Sequence, residues 1–321
     1  MTPGHMRVGA IDIGSNSVRL LVADIPEGGA WTGPILSVAR AGESCRLGRG
    51  LHESGLIAED TAARAGNIAH EFIRRARGLG AERLLAAATA AIRTATNGPA
   101  VAEAIGARAG VPIRILTGDE EARLGYASVV LGLGQQARNS QNVVFDLGGG
   151  STEVVSGVGS RPGRWQSIPS GAVSLTERLL PGSPPSAAEI ANAREVIAHE
   201  IMHGCAYLPN RATVLAGVGG TVTVLASMDR GLTEYDPALL EGWFVSRERA
   251  EKMIVDLVEA SPEARRKLPV MGEGRADIIG AGALVVEALL RRFDAPGLVC
   301  STQGLRYGLA RWAADDRLGL E

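Results

Sequence analysis

The stretch Arg7-Val8-Gly9-Ala10-Ile11-Asp12-Ile13-Gly14-Ser15-Asn16-Ser17-Val18-Arg19-Leu20-Leu21-Val22-Ala23-Asp24-Ile25 decides how the chain is read. An apolar run reaches Asp12, a turn of glycine and hydroxyl residues follows at Gly14 to Ser17, and Val18 to Ile25 resumes an apolar run rich in β-formers. The pattern predicts a hairpin with a polar tip. It returns at Asn142 to Ser156, where Val143-Val144-Phe145-Asp146 leads into Leu147-Gly148-Gly149-Gly150-Ser151-Thr152 and then Glu153-Val154-Val155. Two such devices far apart in one chain imply an internal duplication of an α/β unit.

Working outward, Ile57 to Leu79 has helical spacing, with Ala62, Ala65, Ile68, Ala69, Phe72 and Ile73 on one side. Arg83 to Ala88 reads as a strand, Pro99 to Ala109 as a helix, and Ile113 to Leu116 as a strand after the breaker Gly110-Val111-Pro112. That βαβ order requires parallel pairing. In the second half Ala187 to Tyr207, Ser246 to Glu259 and the apolar Ala276 to Phe293 are expected helices, and Thr213 to Ala216 a strand. Pro181, Pro184 and Pro185 make a rigid loop rather than a linker, so the domain boundary is placed near Gly125 to Gly134. The last segment, Leu298 to Ala314, is expected to carry a small terminal helix able to fold back on the first domain.

The 321 residues favour two domains over one, and 45% hydrophobic with 21% charged residues excludes disorder for the bulk of the chain. A formal net charge of −2 with dispersed basic residues argues against nucleic acid and against a polybasic membrane anchor. Cys45, Cys205 and Cys300 show no paired spacing, which fits a reducing compartment. The apolar run Ile278 to Leu290 contains Glu287 and falls short of the ~20 residues that span a bilayer. No secretory pattern opens the chain, so a cytoplasmic location is expected. Residues 1 to 5 are set aside as a short extension before Met6.

Glycine turns with hydroxyl neighbours present backbone N–H groups to an anion, since no Cβ keeps phosphate oxygens away. One turn alone is equally a tight hairpin with a capping aspartate; the pair points to phosphate. Asp12 and Asp146 at the strand ends add hard oxygen donors of the kind Mg²⁺ accepts beside water and phosphate. Thr117-Gly118-Asp119-Glu120-Glu121-Ala122-Arg123 follows a strand with three carboxylates. Their ordinary place is a solvated helix N-terminus, but hydrolysis needs one carboxylate to orient water, and Glu121 is the candidate. Arg93 in Thr89-Ala90-Ala91-Ile92-Arg93-Thr94-Ala95 is read either as a surface arginine or as a guanidinium that offsets charge on a transferred phosphoryl group. His199-Glu200-Ile201-Met202-His203 matches HExxH, yet only His5, His52 and His70 remain as imidazoles and no longer zinc pattern follows. There is no P-loop, and Gly217-Val218-Gly219-Gly220-Thr221 lacks the dinucleotide spacing.

Taken together, Ala10 to Arg19, Ala91 to Ala95, Gly118 to Arg123, Asp146 to Glu153, Ala216 to Thr221 and Ser301-Thr302-Gln303-Gly304-Leu305-Arg306-Tyr307-Gly308 resemble the exopolyphosphatase/guanosine-pentaphosphate phosphohydrolase (Ppx/GppA) family, over nearly the whole chain. That family lies in the superfamily of actin, sugar kinases and heat-shock-chaperone ATPases. The resemblance implies an α/β fold of two ribonuclease H-like (actin-like ATPase) domains with a central cleft, residues 1–126 plus 300–321 forming the first and 127–299 the second. It implies Glu121 as the base that activates water, Arg93 as a phosphate ligand, and Asp146 and Glu153, with Asp12, near Mg²⁺ or Mn²⁺. Gly14, Ser15, Asn16, Ser17 and Arg19, with Gly148, Gly149, Gly150, Ser151 and Thr152, would seat the substrate. The implied reaction is release of terminal orthophosphate from inorganic polyphosphate. Guanosine pentaphosphate is the alternative substrate, with a nucleoside pocket near Gly217 to Thr221; an ATP-dependent kinase and a non-catalytic polyphosphate or alarmone sensor are the other readings. The chain ends soon after Tyr307 and has no His-Asp dipeptide, so it is expected among the short two-domain members, with shorter polymers handled better. An isologous homodimer is the default expectation for its assembly.

Overall fold

The computed structural model describes residues 4–32, 35–272 and 274–315; residues 316–321, assigned above to the first domain, and residues 1–3 lie outside the described residues. The chain divides into two compact units, Met1–Leu131 with Leu305–Glu321, and Gly132–Gly304.

In the first unit β1 (His5–Ile13), β2 (Ser17–Pro26) and β3 (Leu36–Ser44) form an antiparallel meander. A short α1 (Leu51–Ser54) and the long α2 (Glu59–Gly78) lead to β4 (Arg83–Ala88), which pairs parallel to β1. Then come α3 (Ala90–Thr94), α4 (Gly98–Ala109), β5 (Ile113–Ile115), parallel to β4, and α5 (Gly118–Leu133). The sheet order is β3-β2-β1-β4-β5. Both faces of β1 are covered, so its side chains alternate between two cores: Ile11 and Ile13 join α2 and α4, while Val8 and Ala10 join Leu124 of α5 and the C-terminal residues 305–313. Burial on both sides explains why β1 and β2 read as nearly continuous apolar runs. His5 belongs to β1 and pairs with Pro26, so the residues set aside from the sequence reach one position too far. The helix α5 runs unbroken through Gly125 and Gly132, which therefore mark no loop.

The second unit opens with a 3₁₀ turn and continues as β6 (Gln141–Leu147), β7 (Thr152–Val158), β8 (Arg161–Ile168), α6 (Ala172–Leu179), α7 (Ala187–Gly204), β9 (Val214–Val218), α8 (Gly220–Arg230), α9 (Pro237–Leu240), β10 (Phe244–Ser246), α10 (Arg247–Glu259), α11 (Pro262–Arg266), α12 (Ile279–Arg292) and β11 (Gly297–Cys300). Its sheet order is β10-β11-β9-β6-β7-β8. Read from β8, the first five strands repeat the first unit's order: an antiparallel meander, then two parallel strands. The duplicated hairpin thus stands at the same place in two copies of one sheet, which is the ribonuclease H-like, actin-like ATPase architecture. The apolar α12 is buried along nearly its whole length, between α7 and α10. The last helix, α13 (Leu305–Ala314), returns to the first unit and covers β1 and β4.

Candidate active site

Each hairpin tip is held from outside by its carbonyls. In the β1–β2 turn Gly14 N–H donates to Ser17 O (3.0 Å), Ser15 O accepts from Gly48 N–H (2.8 Å), and Asn16 O accepts from the N–H groups of Cys45 and Arg46 (2.9 and 3.0 Å). In the β6–β7 turn Gly148 N–H donates to Ser151 O (3.0 Å). There the start of α6 takes the role of the strap: Ala172 N–H donates to Gly148 O (3.0 Å), and Val173 and Ser174 N–H to Gly149 O (2.9 and 3.1 Å). Ser174 Oγ adds a bond to Gly150 O (3.3 Å). In both turns the carbonyls are occupied, while the N–H groups of Ser15, Asn16, Gly149 and Gly150 make no hydrogen bond among the described residues. Backbone amides left this way are a concave donor set for an anion. Gly171 makes the second arrangement possible: a Cβ there would stand 2.4 Å from Gly149 C and O and from Gly150 C.

The hydroxyls divide. Ser151 Oγ donates to Glu153 Oε1 (2.7 Å). Thr152 is fully buried and its hydroxyl donates to Ser170 O (2.7 Å), so it braces the turn and offers no donor at the tip. In the first unit Asp12 is buried and stands opposite Arg19 in the β1–β2 register.

The three carboxylates after β5 have three different surroundings. Asp119 pairs with Arg123 one turn on, at the surface. Glu120 closes a capping box with Thr117: its Oε2 accepts from Thr117 N–H (2.9 Å), and Thr117 Oγ1 accepts from Glu120 N–H (3.1 Å). Burial pushes the Glu120 carboxyl up, but the Thr117 N–H and the Arg114 guanidinium outweigh it and hold the group below its ordinary value. Glu121 instead meets Arg93, whose Nη1 lies 2.7 Å from Oε2 and 3.0 Å from Leu116 O. Arg93 comes from α3, which leaves the end of β4, and Glu121 from the first turn of α5 after β5. Adjacent parallel strands therefore bring the two together across 28 positions of sequence.

Asp146 and Glu153 stand directly opposite each other on β6 and β7, on one face of the second sheet. Glu153 Oε1 also accepts from Ser167 Oγ (2.8 Å). Two carboxylates of this kind, with water and phosphate oxygens completing the shell, fit Mg²⁺ or Mn²⁺. The described residues contain no cluster of three or more His, Cys, Asp or Glu side chains able to hold a metal, and Asp12 belongs to the first unit. At the HExxH match, His199 and His203 share one exposed face of α7, and Glu200 accepts from Ser170 Oγ and Arg178.

One residue escaped the sequence reading. Glu241 accepts from Ser301 Oγ (2.9 Å), Thr302 N–H (2.6 Å) and Thr302 Oγ1 (2.7 Å). It thereby fixes the segment that ends at Gly304, where a Cβ would lie 3.8 Å from Asp146 Oδ2. The only signal in the sequence was the Ser301 to Gly308 motif itself; its anchor lies 61 positions away from Thr302.

A duplicated ribonuclease H-like unit whose hairpin tips expose backbone donors, with acidic side chains at the adjoining strand ends, defines a phosphate-handling protein of the actin-like ATPase class. The profile of the Ppx/GppA phosphatase family matches residues 21–313, and the chain belongs to that family and is a phosphohydrolase. It is 35% identical over 291 residues to Exopolyphosphatase 2 of Mycobacterium tuberculosis, covering 89% of this chain and 90% of that one. It is 32% identical over 310 residues to Exopolyphosphatase 1 of Mycobacterium bovis, covering 95% of this chain and 87% of that one. Among solved structures, the Aquifex aeolicus Ppx/GppA family member superposes with a TM-score of 0.82 at 30% identity, over 96% of this chain and 97% of that one.

Proposed function

We propose that the chain is an exopolyphosphatase that releases terminal orthophosphate from inorganic polyphosphate by in-line attack of water. The observation that carries this reading is the Glu121–Arg93 pair, a carboxylate and a guanidinium 2.7 Å apart and mostly shielded from solvent, in a family of phosphatases. Two relatives that match nearly the whole chain carry the name exopolyphosphatase. Phosphoryl transfer through a loose transition state asks mainly for positioning and charge stabilisation. Glu121 supplies an acceptor that orients the attacking water and takes up its proton. Arg93 fixes the Glu121 carboxylate and, through its remaining N–H groups, offsets charge on the equatorial oxygens, with Arg19 as a second cation. Within each unit the exposed amides, those of Ser15 and Asn16 or those of Gly149 and Gly150, are a donor set for phosphate oxygens. Asp146 and Glu153 would hold Mg²⁺ or Mn²⁺, which when bound neutralises phosphate charge.

The test is orthophosphate release, with Mg²⁺, from polyphosphates of defined length and from guanosine pentaphosphate side by side. Polyphosphate is expected to be the faster substrate; a faster guanosine pentaphosphate would assign the chain to alarmone turnover. Glu121→Gln keeps the acceptor for Arg93 but loses the base, so turnover should fall by about 10²–10⁴ with polyphosphate binding retained. Near-wild-type release from that variant would reject the role.

A further inference from the structure

The strap on the first turn carries two guanidinium groups that make no ion pair among the described residues. Residues 45–49 lie against the Gly14–Ser17 tip through three backbone hydrogen bonds, and Gly48 packs on Ser15, where a Cβ would stand 3.3 Å from the serine Cβ. Arg49 N–H bonds to Arg46 O (3.1 Å), so the strap is itself a tight turn with a guanidinium at each end. Both arginines are exposed, and neither makes an ion pair or side-chain hydrogen bond among the described residues. That sets them apart from Arg7, Arg93, Arg114 and Arg123 of the same unit, each paired with a carboxylate. Arg46 is also held at φ 55°, a left-handed conformation that a non-glycine residue adopts only when its surroundings impose it. Here the bond from Arg46 N–H to Asn16 O and the bond from Gly48 N–H to Ser15 O flank that residue and hold it.

We infer that Arg46 and Arg49 form a polyanion subsite that grips internal phosphoryl groups of a polyphosphate chain, next to the group seated on the amides of Ser15 and Asn16. The inference rests on the phosphate-binding reading of that turn. Guanidinium is suited to it, since it stays charged and offers a planar fork of donors to phosphate oxygens. A rigid strap lowers the entropy lost when a flexible polymer is bound. A longer chain can continue from the turn onto the strap, so the two arginines favour longer chains over orthophosphate or pyrophosphate.

The experiment is calorimetric titration of the full chain, in EDTA so that nothing is turned over, with long-chain polyphosphate and with pyrophosphate as probes. The variants are Arg46→Gly, which accepts the positive φ without strain, and Arg49→Ala. Arg75→Ala, on an exposed turn near the end of α2, away from the hairpin tip, is the charge-matched control. Each strap variant should weaken long-chain binding roughly tenfold while changing pyrophosphate less than twofold, and the control should change neither. Wild-type-like binding of the long chain by both strap variants would overturn the subsite alone. Equal loss for both probes would also overturn it, because the arginines would then act on the terminal group. If the wild-type chain binds neither probe, the phosphate reading of the turn fails together with the subsite.

Discussion

Gly171→Ala tests how the second turn is built. Gly171 has φ −97° and ψ 160°, an extended conformation that alanine adopts freely, so the substitution carries no backbone penalty. Its whole effect is the added methyl group, which would stand 2.4 Å from Gly149 C and O and Gly150 C, where ordinary contact begins near 3.4 Å. The neighbours are backbone and cannot swing aside as a side chain would. Relief therefore requires a shift of about 1 Å between the turn and the start of α6, and overpacking of this kind costs roughly 1–3 kcal/mol. The same shift stretches the bonds from Ala172, Val173 and Ser174 that hold the turn's carbonyls, and displaces the amides of Gly149 and Gly150. Misplacement of a positioned group by about 1 Å can lower turnover by about 10²-fold. We expect orthophosphate release from polyphosphate to fall by that order, with a urea midpoint reduced only modestly. Gly150→Ala is the contrast for stability, because a Cβ there meets nothing within 4 Å. If Gly171→Ala keeps both the urea midpoint and the rate of the wild type, the close approach does not constrain the turn and the reasoning is wrong.

Glu241→Ala removes three hydrogen bonds from the 301–304 segment and should destabilise the chain by ~2–4 kcal/mol in urea titrations, while raising the Mg²⁺ concentration for half-maximal phosphate release; an unchanged metal dependence would separate Glu241 from Asp146. The Arg7 guanidinium, bonded to both Asp24 oxygens at 2.7 and 2.9 Å, holds that carboxyl below its ordinary 3.8. Because the folded value is the lower one, the pair's stabilisation is complete above the unfolded value and is lost as the pH falls through the folded one. The wild-type urea midpoint should thus drop more steeply below about pH 4 than that of Asp24→Asn, and parallel acid limbs would refute the linkage. Burial pushes the Cys205 thiol up to about 11 and the Cys300 thiol up to about 12, and raises Cys45 as well. A disulfide-exchange reagent at pH 8 should therefore label none of the three quickly until urea is added, and rapid labelling of the folded chain would contradict their placement.

How much was legible follows from where the information lies. Both hairpins, α2, β4, α4, β5, α7, α10 and α12 announce themselves locally, since a doubly covered strand must be apolar throughout and a helix packed on one side must repeat every three to four residues. The edge strands β3 and β8 do not: Leu36 to Ser44 is half exposed and Arg161 to Ile168 contains proline and glycine, so only pairing with β2 and β7 makes them strands. At the site, the sequence singled out Glu121 from its two acidic neighbours on chemical grounds, and the structure gives the three carboxylates separate partners. Thr152, which the resemblance places among the substrate residues, donates its hydroxyl to Ser170 O, because strand alternation at the start of β7 points it into the core.

By itself, then, the sequence determined that one α/β unit occurs twice and that each copy carries a glycine-hydroxyl tip beside an aspartate, and it singled out Glu121 and Arg93 as candidates. Those properties are written in neighbouring positions, where backbone freedom and side-chain period act directly. The tertiary structure alone decided that Arg93 meets Glu121, that outside segments occupy each tip's carbonyls, and that Glu241 anchors the segment beside Asp146. These depend on strands pairing and helices packing across tens of residues, and a hydrogen bond between distant positions leaves no periodic trace in either of the stretches it joins.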